Sequence, residues 1–295
     1  MKKIIERILI FVIGIPAVYA IIILLPYRSN LAMNIVTIFF SAMGAVEFST
    51  MLEKKNIFIS KIESFILGAI LPLTITLVIC LRLPFEILPV LGMAAAGWVL
   101  LSKVFSKSSG INSITNQIIG KFALLTYPGL FISWLIVMSL WEIPEATLLF
   151  LFISFGNDSS AWLFGTLFGK NNKGLIPVSP NKSIAGFIGG IFGSVIVAAG
   201  AAWFFPNIFL RLKAILSGTD IPFSILMIKA VILGACTGIA ASLGDLAESA
   251  IKRSCDCKDS GNLMLGRGGV LDSIDSIAVA APVFFFLFTL LFIYY

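Results

Sequence analysis

Runs of apolar residues long enough to cross a bilayer follow one another along the chain, separated by short polar punctuation. A helical crossing takes about 20 mostly apolar residues. Nine stretches meet that length: residues 5–25, 31–51, 61–81, 86–104, 118–141, 145–168, 184–205, 222–250 and 271–293. Backbone polar groups in lipid must be satisfied within their own segment, so such runs are helices. The pattern predicts an all-α polytopic membrane protein of nine transmembrane helices. One polar island, Gly244 to Ser276, interrupts it. The island holds six carboxylates (Asp245, Glu248, Asp256, Asp259, Asp272, Asp275) and four cations (Lys252, Arg253, Lys258, Arg267). Ionisable groups beside hydrocarbon are costly and mark function by default.

Composition agrees. Of 295 residues, 59% are hydrophobic and 12% charged, with mean hydropathy +1.04; soluble domains carry about 25% charge. Residues 8–25 lack a small-residue cleavage site and precede further spans, so they read as a retained helix. The net charge of +6 is topological: 16 Lys and Arg fall on one side of the alternating loops, while Arg28, Arg82, Arg211 and Lys213 fall on the other and Lys229 lies within a span. The positive-inside rule places the N-terminus and the island in the cytoplasm and, after nine spans, the C-terminus outside. That is the layout of a multi-pass protein of the inner (plasma) membrane. The basic loops suit anionic lipid, and no nucleic-acid partner is expected. Cys80 and Cys236 lie in spans, while Cys255 and Cys257 form Cys-x-Cys on a cytoplasmic loop. Zinc sites take about four ligands, and the chain has no histidine. The thiols read as incidental. The commonest general base and any Ser-His-Asp set are also excluded. Chemistry concentrates in the second half, which divides the chain into an N-terminal membrane region, 1–143, with five spans and a catalytic membrane region, 144–295, with four.

Glu47 stands out in the first half, near the cytoplasmic end of the second span; it reads either as a snorkelling or helix-capping carboxylate or as the wall of a polar cavity. Glu63 reads as interfacial. In the second half, Asp158 lies inside the slab, where a carboxylate must face protein or trapped water. The following loop brings Lys170, Lys173 and Lys182 together with Ser179 and Ser183 just before a helix, and helix N-termini present free N–H groups to anions. The small-residue seventh span suits close helix packing. Residues 222–253 would make a helix of roughly 48 Å, which either projects from the membrane or breaks near Gly238 or Gly244. Asp245 and Glu248 share one helical face, continued by Ser249 and Lys252. Asp272 and Asp275 repeat the spacing. One such pair would suit the macrodipole alone; two pairs plus Asp158 point to a divalent cation. Hard oxygen ligands without His or Cys favour magnesium, which keeps waters and binds carboxylates together with substrate phosphates. The turn Gly266-Arg267-Gly268-Gly269 can bring N–H groups to an anion. Carboxylates, a metal, lysines and a glycine turn at a membrane face suggest phosphoryl or nucleotidyl transfer on a lipid. A transporter or channel for an anionic solute is the rival reading. It would predict internal symmetry and sites near the midplane, and neither is visible.

These residues resemble a known family. Ser249-x-Ile-Lys252-Arg253-(x4)-Lys258-Asp259-x-Gly261, then Gly268-Gly269-Val-x-Asp272-x-x-Asp275, is similar to the signature of the phosphatidate cytidylyltransferases (CDP-diacylglycerol synthases). Gly244-Asp245-Leu-x-Glu248-Ser249, Asn157-Asp158 with Phe164-Gly165, and Ser179-Pro180-x-Lys182-Ser183 extend the likeness in the same order, and Glu47 sits where the family often has a glutamate. The resemblance implies that CTP and phosphatidic acid give CDP-diacylglycerol and pyrophosphate in phospholipid biosynthesis. Magnesium is the implied cofactor, with a monovalent cation as an optional second ion, and a homodimer is implied. Asp245 and Asp272 match the metal-centre positions, completed or oriented by Asp158, Glu248 and Asp275. Lys182, Lys252, Arg253, Lys258 and Arg267 would neutralise triphosphate and leaving pyrophosphate, with Ser179, Ser183, Ser249, Asp259, Gly268 and Gly269 in the same motifs. Two positions depart. Arg267 stands where the family usually has histidine, and Ser273 where it has arginine. Arg267 cannot act as an acid–base near neutral pH, so a low-activity relative is the other reading kept open.

Overall fold

The structure is a computed structural model that describes residues 13–102, 104, 111–174, 176–211, 221–264 and 268–294. The described residues are almost entirely helical. They contain no β-strand, only two isolated bridges, Lys173 with Ser183 and Met264 with Gly268. The helices are α1 (Ile15–Tyr19), which runs into a wide turn at Ala20–Leu24, α2 (Tyr27–Glu53), α3 (Lys61–Cys80), α4 (Ile87–Leu101), α5 (Ile111–Leu124), α6 (Pro144–Phe168), α7 (Ile184–Phe204), α8 (Phe223–Ser254) and α9 (Leu271–Phe288). Two continue in irregular turns, α5 as far as Trp141 and α9 as far as Tyr294.

Seven helical segments among the described residues are long and apolar enough to cross a membrane: Tyr27–Glu53, Lys61–Cys80, Ile114–Trp141, Pro144–Phe168, Ile184–Phe204, Phe223–Ser254 and Leu271–Tyr294. This is a multi-pass membrane protein. The expected span at 86–104 is the shorter apolar helix α4, 15 residues long. The span expected at 5–25 is described only from residue 13. Arg28, Ser29 and Asn30 are left-handed (φ 48, 55 and 57°), so right-handed α2 starts at the predicted residue 31. α8 is unbroken over 32 residues.

Three helices stop in the same way. Ile57 N–H bonds to Leu52 O at 3.1 Å, Leu83 N–H to Val78 O at 2.9 Å and Cys257 N–H to Lys252 O at 2.9 Å. The residue before each donor (Asn56, Arg82, Asp256) has a positive φ of 53–61°. This is the Schellman ending, built without glycine. At the α8 end, Lys55 pairs with Asp256 at 2.7 Å. The pairing holds the Asp256 carboxyl below and the Lys55 ammonium above their ordinary values, chiefly through the hydrogen bond between them.

The chain forms two compact units. One comprises Met1–Leu140 and Ile251–Ile274; the other comprises Trp141–Ala250 and Asp275–Tyr295. In the first, α2 and α3 approach closely at Gly68, where an added methyl would come within 2.6 Å of Ala45 Cβ and 2.7 Å of Ser41 O. Ser41 Oγ lies 2.6 Å from Gly68 O and 2.7 Å from Pro128 O. In a membrane, such small residues let backbones meet. Lys121 is buried and bonded to Glu63 (2.5 Å) and Ser102 Oγ (2.7 Å), so the glutamate expected at an interface anchors α3 to α5.

In the second unit, glycines of α7 seat it on α6. A Cβ at Gly193 would strike the Ser160 side chain and come within 2.7 Å of Gly156 O. Gly193→Leu should therefore lower the melting temperature in detergent, at a cost of about 1–3 kcal/mol for overpacking; an unchanged melt would refute this packing. Asn157 ties three helices, donating to Ser194 Oγ (3.2 Å) and Gly238 O (3.0 Å) and accepting from Ser242 Oγ (3.0 Å). Trp141, Phe150, Phe209, Phe284, Phe288 and Phe292 form its aromatic core.

Candidate active site

The polar chemistry of the first unit gathers where α9 begins. Asp272 lies in the first turn of α9. Its Oδ2 accepts from Ser260 N (2.9 Å), Ser260 Oγ (2.9 Å) and Gly269 N (2.7 Å). Its Oδ1 accepts from Lys252 Nζ at 2.5 Å. Three donors on one oxygen leave the other for the lysine. Gly268 has φ +100° and faces Asp272, where a Cβ would sit 2.6 Å from Oδ2, so only glycine makes this turn without strain. Arg253 donates to Cys257 O at 3.0 Å, while Lys258 and Asp259 are exposed beside it.

Behind this turn stands Glu47. Its carboxylate is buried and accepts from Val270 N (2.9 Å), Leu271 N (2.9 Å) and Ser260 Oγ (3.1 Å). These N–H groups belong to the α9 N-terminus, where donors lack intrahelical partners and negative charge is favourable. Glu47 caps a helix other than its own. It does not snorkel. Gly261 and Gly269 pack directly on it, and a methyl at either would collide with its carboxylate.

The second unit holds the other acids. Asp158, Asp245 and Glu248 each lie within Coulombic range of Asp275. Glu248 and Asp275 are buried, and Asp275 Oδ1 accepts from Ser276 N at 2.6 Å. Gly244 lets α8 approach α9, since its Cβ would meet Asp275 O at 2.6 Å. Lys182 pairs with Asp245. Ser183 begins α7, its Oγ accepting from Gly186 N at 3.0 Å. Ser179 shapes the turn before it, accepting from Lys182 N at 3.0 Å. Ser249 is buried on α8.

Over residues 5–291, the chain matches the model of the cytidylyltransferase family. The chain belongs to the cytidylyltransferase family. Among its relatives, the phosphatidate cytidylyltransferase of Bacillus subtilis (strain 168) is 34% identical over 139 residues, 47% of this chain and 45% of the relative. That of Staphylococcus aureus (strain COL) is 38% identical over 126 residues, 42% of each chain. Against these two, this chain spans less than half the relative's length. The Synechocystis phosphatidate cytidylyltransferase is 26% identical over 314 residues, 97% of each chain.

Set against the family signature, the structure brings Lys252, Asp272, Gly268 and Gly269 together in the first unit, with Arg253, Lys258 and Asp259 alongside. In the second it brings Asp158, Asp245, Glu248, Asp275 and Lys182 together, with Ser179, Ser183 and Ser249 on the same helices and loop. Arg267 lies outside the described residues. The residue missed was Ser260, which hides in the variable place of Lys-Asp-x-Gly; the aspartate before it and the glycine after it were its only local signal. The donor set fits magnesium in kind: all are hard carboxylates, with Asp158, Asp245 and Glu248 close enough to act on Asp275 and Lys182 paired with Asp245. Among the described residues, no three acid or thiol side chains already stand as a metal cluster. Asp245, Asp272 and Asp275 are held by lysines or a backbone N–H instead.

Proposed function

We propose that this family member is a CTP:phosphatidate cytidylyltransferase. A phosphate oxygen of phosphatidic acid bonds to the α-phosphorus of CTP, the bond from that phosphorus to the bridging oxygen breaks, and pyrophosphate leaves with the electron pair. CDP-diacylglycerol for phospholipid synthesis is the other product. No general base is needed, because a phosphate monoester with a second pKa of about 6 is largely ionised near neutral pH. The observation that carries this reading is the pair of lysine–aspartate contacts, Lys182–Asp245 and Lys252–Asp272, in a chain of this family. Each joins an acid suited to a hard cation to a lysine suited to phosphate.

Asp158, Asp245, Glu248 and Asp272 are the residues assigned to magnesium, and Asp275 is assigned to orienting them. Bound magnesium would neutralise charge on the transferring phosphorus and its oxygens. Lys182, Lys252, Arg253, Lys258 and Arg267 would balance triphosphate and pyrophosphate. Ser179, Ser183, Ser249, Asp259, Gly268 and Gly269 are the residues assigned to binding phosphate. Nine spans, a cytoplasmic N-terminus and active face, an external C-terminus, residence in the inner membrane and a homodimer complete the proposal, supported by the sorting of Lys and Arg among the loops. Purified protein given magnesium, CTP and phosphatidic acid should release pyrophosphate and CDP-diacylglycerol in equal amounts. Solute movement across vesicles without turnover would instead establish the transporter reading.

A further inference from the structure

We infer that Glu47, acting through Ser260 and the α9 N-terminus, is a positioning residue that leaves Asp272 one oxygen for a ligand. The inference rests on reading the chain as a magnesium-dependent cytidylyltransferase. An acid in the first turn of a helix is ordinarily drawn to the free N–H groups there. Glu47 already takes two of them, Val270 N and Leu271 N, each at 2.9 Å, so Asp272 need not spend both oxygens on its own helix. Ser260 links the two acids. Its hydroxyl has one proton and two carboxylate acceptors, Glu47 Oε2 at 3.1 Å and Asp272 Oδ2 at 2.9 Å, and it also accepts from Asp272 N at 3.3 Å. Oδ2 is thereby fixed to the turn by Ser260 and Gly269. Only Oδ1 points away, and Lys252 occupies it at 2.5 Å. A cation at Asp272 would take the place of an ammonium on a single oxygen whose direction Glu47 and Ser260 set.

Glu47→Gln and Ser260→Ala test this in detergent-purified full-length protein, through thermal unfolding during magnesium titration and through initial rates. Partners that orient a metal-binding carboxylate typically contribute about 10–100-fold to metal affinity. Both variants should raise half-saturating magnesium about 10-fold in the melting readout and in turnover, while KM for CTP and for phosphatidic acid at saturating magnesium stays within about two-fold of wild type. Glu47→Asp, which keeps the charge, should recover part of the loss. A folded Ser260→Ala protein with wild-type half-saturation overturns the inference, as does a lower melting temperature with an unshifted magnesium response; Ser260→Ala is the smaller change and keeps the test open if Glu47→Gln does not fold. Wild-type protein that neither responds to magnesium nor transfers cytidylyl overturns the enzyme reading itself, and the inference with it.

Discussion

Asp272→Asn should reduce CDP-diacylglycerol formation by about 10³-fold, on the scale of losing one group that stabilises transition-state charge. The amide brings one oxygen and one NH2 to a site that asks for two acceptors. If the oxygen takes the Oδ2 place, it satisfies Ser260 and Gly269, and the NH2 then faces the Lys252 ammonium, donor against donor. If it turns over, two backbone N–H groups are confronted instead. Neither pose offers a charged oxygen to a cation, and no pose satisfies Lys252 and the two backbone N–H groups together. Asp245→Asn should lose activity on the same scale, for a simpler reason. Its carboxylate is about a third exposed and is paired with Lys182, so the variant should fold normally and fail in turnover. Equal release of product and pyrophosphate by wild type and either variant, measured at saturating magnesium, would remove that aspartate from the mechanism.

The largest stability effect should come from the pair that the chemistry does not use. Lys121 has 2% side-chain exposure and Glu63 26%. Removing Glu63 alone leaves an ammonium buried in helical packing, its charge unpaired by any acid within bonding distance and its Nζ still bonded to Ser102 Oγ among the described residues. Breaking such a pair from one side costs about 3–5 kcal/mol, so Glu63→Ala should melt well below wild type in detergent. The double variant Glu63→Gln, Lys121→Met should recover most of the loss, because replacing both charges by groups of similar shape is often neutral. A Glu63→Ala melt matching wild type would show that the lysine is solvated after all.

The membrane helices are legible because uninterrupted apolar length is a local property: the apolar runs 145–168 and 184–205 end within a residue of Pro144–Phe168 and Ile184–Phe204. Glycine was harder to interpret. Gly238 and Gly244 looked like places for α8 to break, yet the helix runs through both. Each is small so that another element can approach, Ser194 at the first and the Asp275 carbonyl at the second. From sequence alone a flexible glycine and a thin one are indistinguishable. The acids and lysines of the signature were legible by type and order. Their pairing was not. Glu47 could be read as a cap, but not as a cap for a helix more than 200 residues on, since nothing near Glu47 encodes which N-terminus it meets. Ser260 is not legible in the sequence, because its role comes entirely from the two carboxylates that share its hydroxyl.

Lys229, in the second turn of α8, donates to the Leu291 carbonyl at 2.6 Å. That oxygen belongs to the wide closing turn of the last helix, where unbonded carbonyls accumulate partial negative charge. The lysine thus works as an electrical counterpole for a terminus that nothing in its own neighbourhood announces. A hydropathy profile scores it as a blemish in α8, although the feature it serves lies at the far end of α9.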